Sequence, residues 1–123
     1  MRDEPTAADL LETALAVLKD RLLPHLPADS RYDALMVANA VGIAARQVRA
    51  GTHPEDEAHA RLSALYSDKR EPLAALEAAL AADLRAGRFD PGRAERAAVF
   101  DHLWQTTCAK LQESNPKALS GRR

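Results

Sequence analysis

Tyr32, Asn39 and Arg46 stand seven residues apart. On a helix that spacing lines up a phenol, a carboxamide and a guanidinium along one strip. Arginine offers a planar fork of donors and asparagine adds another, so the strip has the chemistry to hold a carboxylate or a phosphate. The stretch around it, "ALMVANAVGIAA", is otherwise apolar or glycine. The strip therefore also has a structural reading. A buried Asn39 bonded to another helix fixes how the second helix sits, because an unpaired carboxamide in an apolar interface costs about 1–3 kcal/mol. Arg46, near the helix C-terminus, is favoured there by the macrodipole alone. The structural reading predicts that Asn39 is buried, with its partner on another helix.

Other chemistry-bearing residues are sparse. Asp56-x-x-His59 resembles half of the carboxylate-x-x-His arrangement of di-iron bundles, with Glu55 within a turn. A dinuclear site needs a second such motif and two more inward carboxylates. Glu77 and Asp83 only border an apolar stripe, so no metal and no cofactor is expected. His25 lies in a proline turn, and His102 is predicted to be exposed. Cys108 has no activating base in sequence and reads as packing. Phosphate-cradling glycine loops, zinc-protease histidine pairs and nucleophile elbows are absent. Arg85, Arg88, Arg93 and Arg96 cluster around one helix joint, interspersed with Asp83, Asp90 and Glu95, which marks a solvated face or an acidic-partner dock.

The elements that must position these residues read as helical throughout. Thr6 with Asp9 forms a capping box before a stripe of Ala7, Leu11, Ala14, Leu15, Leu18 and Leu22. Pro24 and Pro27 end it. Ser30 and Asp33 signal the start of a second helix, which Gly51 closes. That helix has two apolar faces: Val37, Val41, Ala44 and Val48 on one, and Leu35, Met36, Gly42 and Ile43 nearly opposite. A helix apolar all round is buried by neighbours or by a second subunit. Thr52, Pro54 and Glu55 start a third, with Ala58, Leu62, Leu65 and Tyr66 inward. Leu73, Leu76, Leu80 and Leu84 line a fourth, ending at Gly87. Asp90-Pro91 opens a fifth, whose face carries Ala97, Phe100, Leu103, Trp104, Thr107 and Leu111. The expectation is an all-α, single-domain up-and-down bundle of about five helices over residues 1–113, with no sheet, and a loose tail over 114–123.

Composition agrees with this class. The chain has 123 residues, with 46% apolar and 28% charged side chains, enough for a core without disulfides or metal. A net charge of −1 and 4% aromatics argue against nucleic acid as a partner. No apolar run reaches a membrane-spanning length. One cysteine and no secretory signal point to the cytoplasm.

"PTAADLLETA", "LLPHLPADSRYDALMVANAVGIAARQVRAG", "LRAGRFD" and "HLWQTTCAKLQESNPKAL" together resemble a bacterial family of short helical proteins of unknown function. The most specific pieces are Ala38-Asn39-Ala40 with Arg46, and Asn115-Pro116. Members of that family often accompany kinases of the aminoglycoside-phosphotransferase type and acyl-CoA dehydrogenases. In the family pattern acidic residues flank the second-helix arginine. Ala45 and Gln47 stand there in this chain, so no acidic cluster carries over. The resemblance implies a non-enzymatic accessory protein, partnered by a phosphotransferase-like kinase in acyl-CoA metabolism; self-association into a homodimer is the other partner expected. Two readings stand beside it: a small-molecule binding module using Tyr32, Asn39 and Arg46, and a metal-dependent bundle enzyme around His59.

Overall fold

The computed structural model describes residues 3–120, and these contain five α-helices and no strand. The helices are α1 (Ala7–Val17), α2 (Ala28–Ala50), α3 (His53–Tyr66), α4 (Leu73–Arg85) and α5 (Arg96–Ser114). The all-helical expectation holds. Residues 1–51 and 111–123 form one compact unit, and residues 52–110 form another. The ends of the expected spans, residues 1–2 and 121–123, lie outside the described residues.

In the first unit α1 starts on the capping box read from sequence. The Asp9 N–H donates to Thr6 Oγ1 at 3.2 Å, and the Thr6 N–H returns a bond to Asp9 Oδ2 at 3.0 Å. These bonds, the Thr6 backbone donor first, hold the Asp9 carboxyl below the usual carboxylate range. A single π-helical turn, Leu18–Leu22, follows α1, and a 3₁₀ turn, Leu23–His25, carries Pro24. Helix α2 begins at Ala28 behind Pro27 rather than at Ser30. Pro27 is the N-cap residue, its φ of −57° already helical and its ψ of 155° still extended, and a proline at a helix entry forgoes only an N–H that has no intrahelical partner there. Gly51 closes α2 with φ +60°, a conformation that favours glycine.

Helices α1 and α2 run antiparallel. Arg49, near the end of α2, bonds Glu12 at 2.9 Å and Asp9 at 3.4 Å near the start of α1. The surface of α2 buried in this pairing is a seam of small residues: Ala34, Ala38, Gly42 and Ala45. No buried residue of the first unit is larger than alanine among those described. Of the two apolar faces of α2 read from sequence, only Gly42 belongs to the buried seam. Val37 and Val48 flank the seam on one side, Leu35 and Met36 lie towards the other, and all four are about half exposed. The reason is geometric. Leu15 of α1 seats over Gly42, its Cδ2 3.6 Å from where a Cβ would stand, and a large side chain on one helix packs closest over small residues on the other. After α5, Pro116–Leu119 folds into one 3₁₀ turn within the segment read as a loose tail.

The second unit has a conventional core. Leu62, Leu76, Leu80, Phe89 and Val99 form its buried cluster, with Leu65, Tyr66, Leu73, Leu84 and Leu103 packed around it. Leu62 and Val99 are fully buried, and burial of such side chains contributes about 1.5–3 kcal/mol each. The stripes read for α3 and α4 are the ones used. Thr52 precedes α3 without a side-chain cap; its hydroxyl donates to Asp56 Oδ2 at 3.0 Å. Asp90-Pro91 forms turns, and α5 starts only at Arg96.

The face of α5 is rotated from the expected one. Val99 and His102 are buried, whereas Phe100 and Trp104 are 48% and 56% exposed. His102 was expected outside and is 4% exposed. Arg61 of α3 explains the rotation: Nε–H donates to His102 Nδ1 at 3.1 Å, and its Nη groups reach Gln105 at 3.2 Å and Thr106 at 3.3 Å. A half-buried guanidinium needs acceptors, and the side of α5 that carries His102 and Thr106, with exposed Gln105 at its edge, supplies them. Phe100 instead takes Arg96 over its ring at 4.3 Å.

Burial, with Arg61 beside it, pushes the His102 imidazole below the ordinary histidine value of 6.5. The unfolded chain then binds the proton first, so the stability contributed by neutral His102 is complete above 6.5 and is lost as pH falls below it. Urea midpoints measured from about pH 7 down to pH 5 should decline in the wild type, and more shallowly in His102→Gln, whose amide still accepts from Arg61.

Candidate functional site

In the first unit a cavity of about 370 Å³ lies between the α1–α2 pair and the end of α5. Its α2 wall is built on the helical period: Asn39, Gly42 and Arg46 follow one another a turn apart. Gly42 keeps the middle of that wall open. A Cβ there would stand 3.4 Å from Arg46 Nη1 and 3.6 Å from Leu15 Cδ2. The π-helical turn after α1 contributes Lys19, and the C-terminal turn contributes Asn115 and Lys117. Leu15, Leu35 and Pro116 supply apolar surface.

Arg46 is held in place by its own chain. Its Nε–H donates to the Glu113 main-chain carbonyl, which leaves the Nη fork available at the cavity wall. Arg49, three residues on, spends its charge on Glu12 and Asp9. The cavity lining, by contrast, brings together Lys19, Arg46 and Lys117 with no carboxylate side chain. None of those three cations is ion-paired among the described residues.

Two of the three residues of the sequence strip therefore meet one cavity, Asn39 and Arg46. Tyr32, 71% exposed, does not line it. The expected burial of Asn39 is corrected: the residue is exposed, and its side chain makes no hydrogen bond to a described residue. The small-residue seam, not Asn39, is what α2 turns toward α1. Lys19, Asn115 and Lys117 were missed because none lies on α2. The one signal for them in sequence was Asn115-Pro116, singled out by the family resemblance without a role.

The second unit holds another cleft of about 370 Å³, lined by Tyr66, Asp83, Arg88, Phe89, Arg93 and Glu95 among others. Its charges are matched. The Tyr66 hydroxyl donates to Asp83 Oδ2 at 2.7 Å, and Arg88 Nε lies 3.3 Å from Asp83 Oδ1. Gly87 turns the chain into this cleft at φ +80°, where a Cβ would stand 2.8 Å from the Asp90 carboxylate. Arg96 gives its guanidinium to the Phe89 carbonyl at 2.8 Å and to the Phe100 ring. Of the four arginines read as a cluster, Arg88 and Arg96 are thus engaged in separate intramolecular contacts.

His59 is similarly engaged. Its Nε2 pairs with the Glu71 carbonyl at 2.8 Å, and Ser63 Oγ lies 3.4 Å from Nδ1. Among the described residues no group of three or more His, Cys, Asp or Glu side chains converges in a way that could hold a metal. Cys108 is a half-buried free thiol.

Two measurements check this geometry. In urea titrations Asn39→Leu should retain the wild-type unfolding free energy to within about 0.5 kcal/mol, as expected for a surface position without a partner. Burial and the bond to Asp83 push the Tyr66 hydroxyl up to about 12. The folded value lies above the ordinary 10.0, so the stability it contributes is complete below that value and is lost as pH rises towards 12. Phenolate absorbance in a Tyr32→Phe background should titrate near 12, and adding Asp83→Asn should bring the midpoint down.

No curated protein and no solved structure matches this chain. The model of one family does, across residues 24–118, a span that holds all of α2, α3, α4 and α5 and the Asn115-Pro116 turn. On that match the chain belongs to the family described as a domain of unknown function, DUF6285.

Proposed function

We propose that this protein is a non-catalytic, cytoplasmic interaction protein, which docks another protein through the exposed apolar face of its first unit. One observation carries the reading: the seam between α1 and α2 buries only small residues, and the large apolar ones are left outside. Val37 and Val48 on α2 are each about half exposed. Leu10 and Val17, similarly uncovered on α1, lie on the side of that helix away from Lys19 and the cavity. An exposed apolar face of this kind on a small protein is the ordinary mark of a protein contact. Against lipid it would be a poor anchor, and no helix among the described residues is long and apolar enough to cross a membrane. The bacterial family resemblance names the partner to try first, a phosphotransferase-like kinase that accompanies acyl-CoA dehydrogenases.

Co-expression with such a kinase, followed by size exclusion, should give a joint peak. Val37→Glu with Val48→Glu should abolish the peak while leaving the circular dichroism spectrum unchanged, since both side chains are already about half exposed. Separate elution of the two proteins, together with a monomeric profile for this chain across the micromolar range, would rule the reading out. A homodimer broken by the same two substitutions would keep the face and replace the partner.

A further inference from the structure

We infer that the cavity of the first unit is a binding site for a small organic oxyanion, a carboxylate or phosphate group carried on a short apolar body. Three features of the cavity support this. First, its charge is one-sided. Lys19, Arg46 and Lys117 line a space of about 370 Å³ that no carboxylate side chain enters. Like charges gathered on one small cavity repel one another, and an anion placed among them relieves that repulsion. The contrast is Arg49 on the same helix, whose charge is answered by Asp9 and Glu12 of α1. It also distinguishes this cavity from the cleft of the second unit, where Asp83 answers Arg88.

Second, Arg46 is oriented but not used up. The Nε–H bond to the Glu113 carbonyl fixes the plane of the guanidinium. Nη1 and Nη2 lie over Gly42, 3.4 and 3.9 Å from where a Cβ would stand. A pre-oriented fork loses little entropy on gripping a carboxylate or phosphate, and the two parallel N–H···O bonds so formed are charge-assisted. Third, the rest of the wall is suited to the remainder of such a molecule. Asn39 lies seven residues from Arg46, roughly 10 Å along the helix axis at 1.5 Å per residue. It can bond a second polar group at the far end. Gly42 lies between them, and Leu15, Leu35 and Pro116 give an apolar side. The volume falls near the lower end of the ~300–1,000 Å³ typical of ligand pockets, which limits the occupant to a small molecule. This site does not depend on the protein-docking face, which lies on the other flank of the seam.

Inorganic phosphate, butyrate, butyl phosphate and, as a cationic control, butylammonium are the probes, read by calorimetry and by amide shifts of Gly42 and Asn39. Butyrate or butyl phosphate should bind, butyl phosphate more tightly than phosphate, and butylammonium not at all. Arg46→Met keeps the aliphatic stem and removes the fork; it should weaken binding at least about tenfold, the factor that 1.4 kcal/mol represents. If that variant loses its helical spectrum, Lys117→Glu serves in its place. It reverses an exposed charge at the cavity rim and should weaken binding by a similar factor. Gly42→Ala should raise the urea midpoint, because alanine is the better helix former by about 1 kcal/mol, and yet weaken binding, because its methyl enters the cavity. A Kd above about 10 mM for every anion overturns the inference. So does binding left unchanged by Arg46→Met and by Lys117→Glu, or phosphate binding as tightly as butyl phosphate.

Discussion

The close approach of α1 to a groove of alanine and glycine on α2 is the contact on which the rest of the first unit depends. Ala34, Ala38, Gly42 and Ala45 occupy a narrow strip of the helix, and Leu15 seats over Gly42. Small residues let two helix axes come together, but they bury little apolar area per residue. The arrangement leaves the larger side chains of α2 to either side of the contact. Val37 and Val48 therefore face outward as an apolar surface, and Asn39 and Arg46 face outward as a polar wall. Both candidate functional surfaces are by-products of the same seam.

Gly42 belongs to the seam and to the cavity at once. A Cβ there would stand at ordinary contact distance from Leu15 and from the guanidinium of Arg46, 3.6 and 3.4 Å, so the seam itself would accept alanine. A helix-interior glycine is a poor choice for the helix, and what it adds here is open space on the cavity wall. Arg46 then reaches the Glu113 carbonyl near the end of α5, where the last carbonyls of a helix have no intrahelical donor. One side chain thereby closes a helix end and presents two further donors to open space.

The second unit is organised by a different constraint. Arg61 is half-buried and brings its donors to α5, and α5 turns His102, Gln105 and Thr106 to meet them. The aromatic side chains that hydrophobicity alone would place inside are displaced to the surface. Burying an unsatisfied guanidinium costs more than leaving Phe100 and Trp104 about half exposed, so the polar contacts set the rotation. Leu62, Leu76, Leu80, Phe89 and Val99 then close the core around that choice.

The sequence by itself determined the class of the fold, the number of helices and the inward stripes of α3 and α4. Large apolar residues at helical spacing occupy a single stripe on each of these helices, so one face is plainly the better one to bury. It also determined the Thr6–Asp9 capping box and the Gly51 stop, because these interactions lie within a few residues along the chain. Only the tertiary structure decided which side of α2 and of α5 is inside. Helix α2 is apolar nearly all round, so its own pattern does not discriminate between faces, and the shape of α1 selects the small-residue seam. On α5 the deciding partner, Arg61, lies more than forty residues away in sequence. The cavity follows the same rule. Asn39 and Arg46 were legible as a pair from their spacing on one helix, whereas Lys19 and Lys117 join them only because folding brings the end of α1 and the turn after α5 to the same wall.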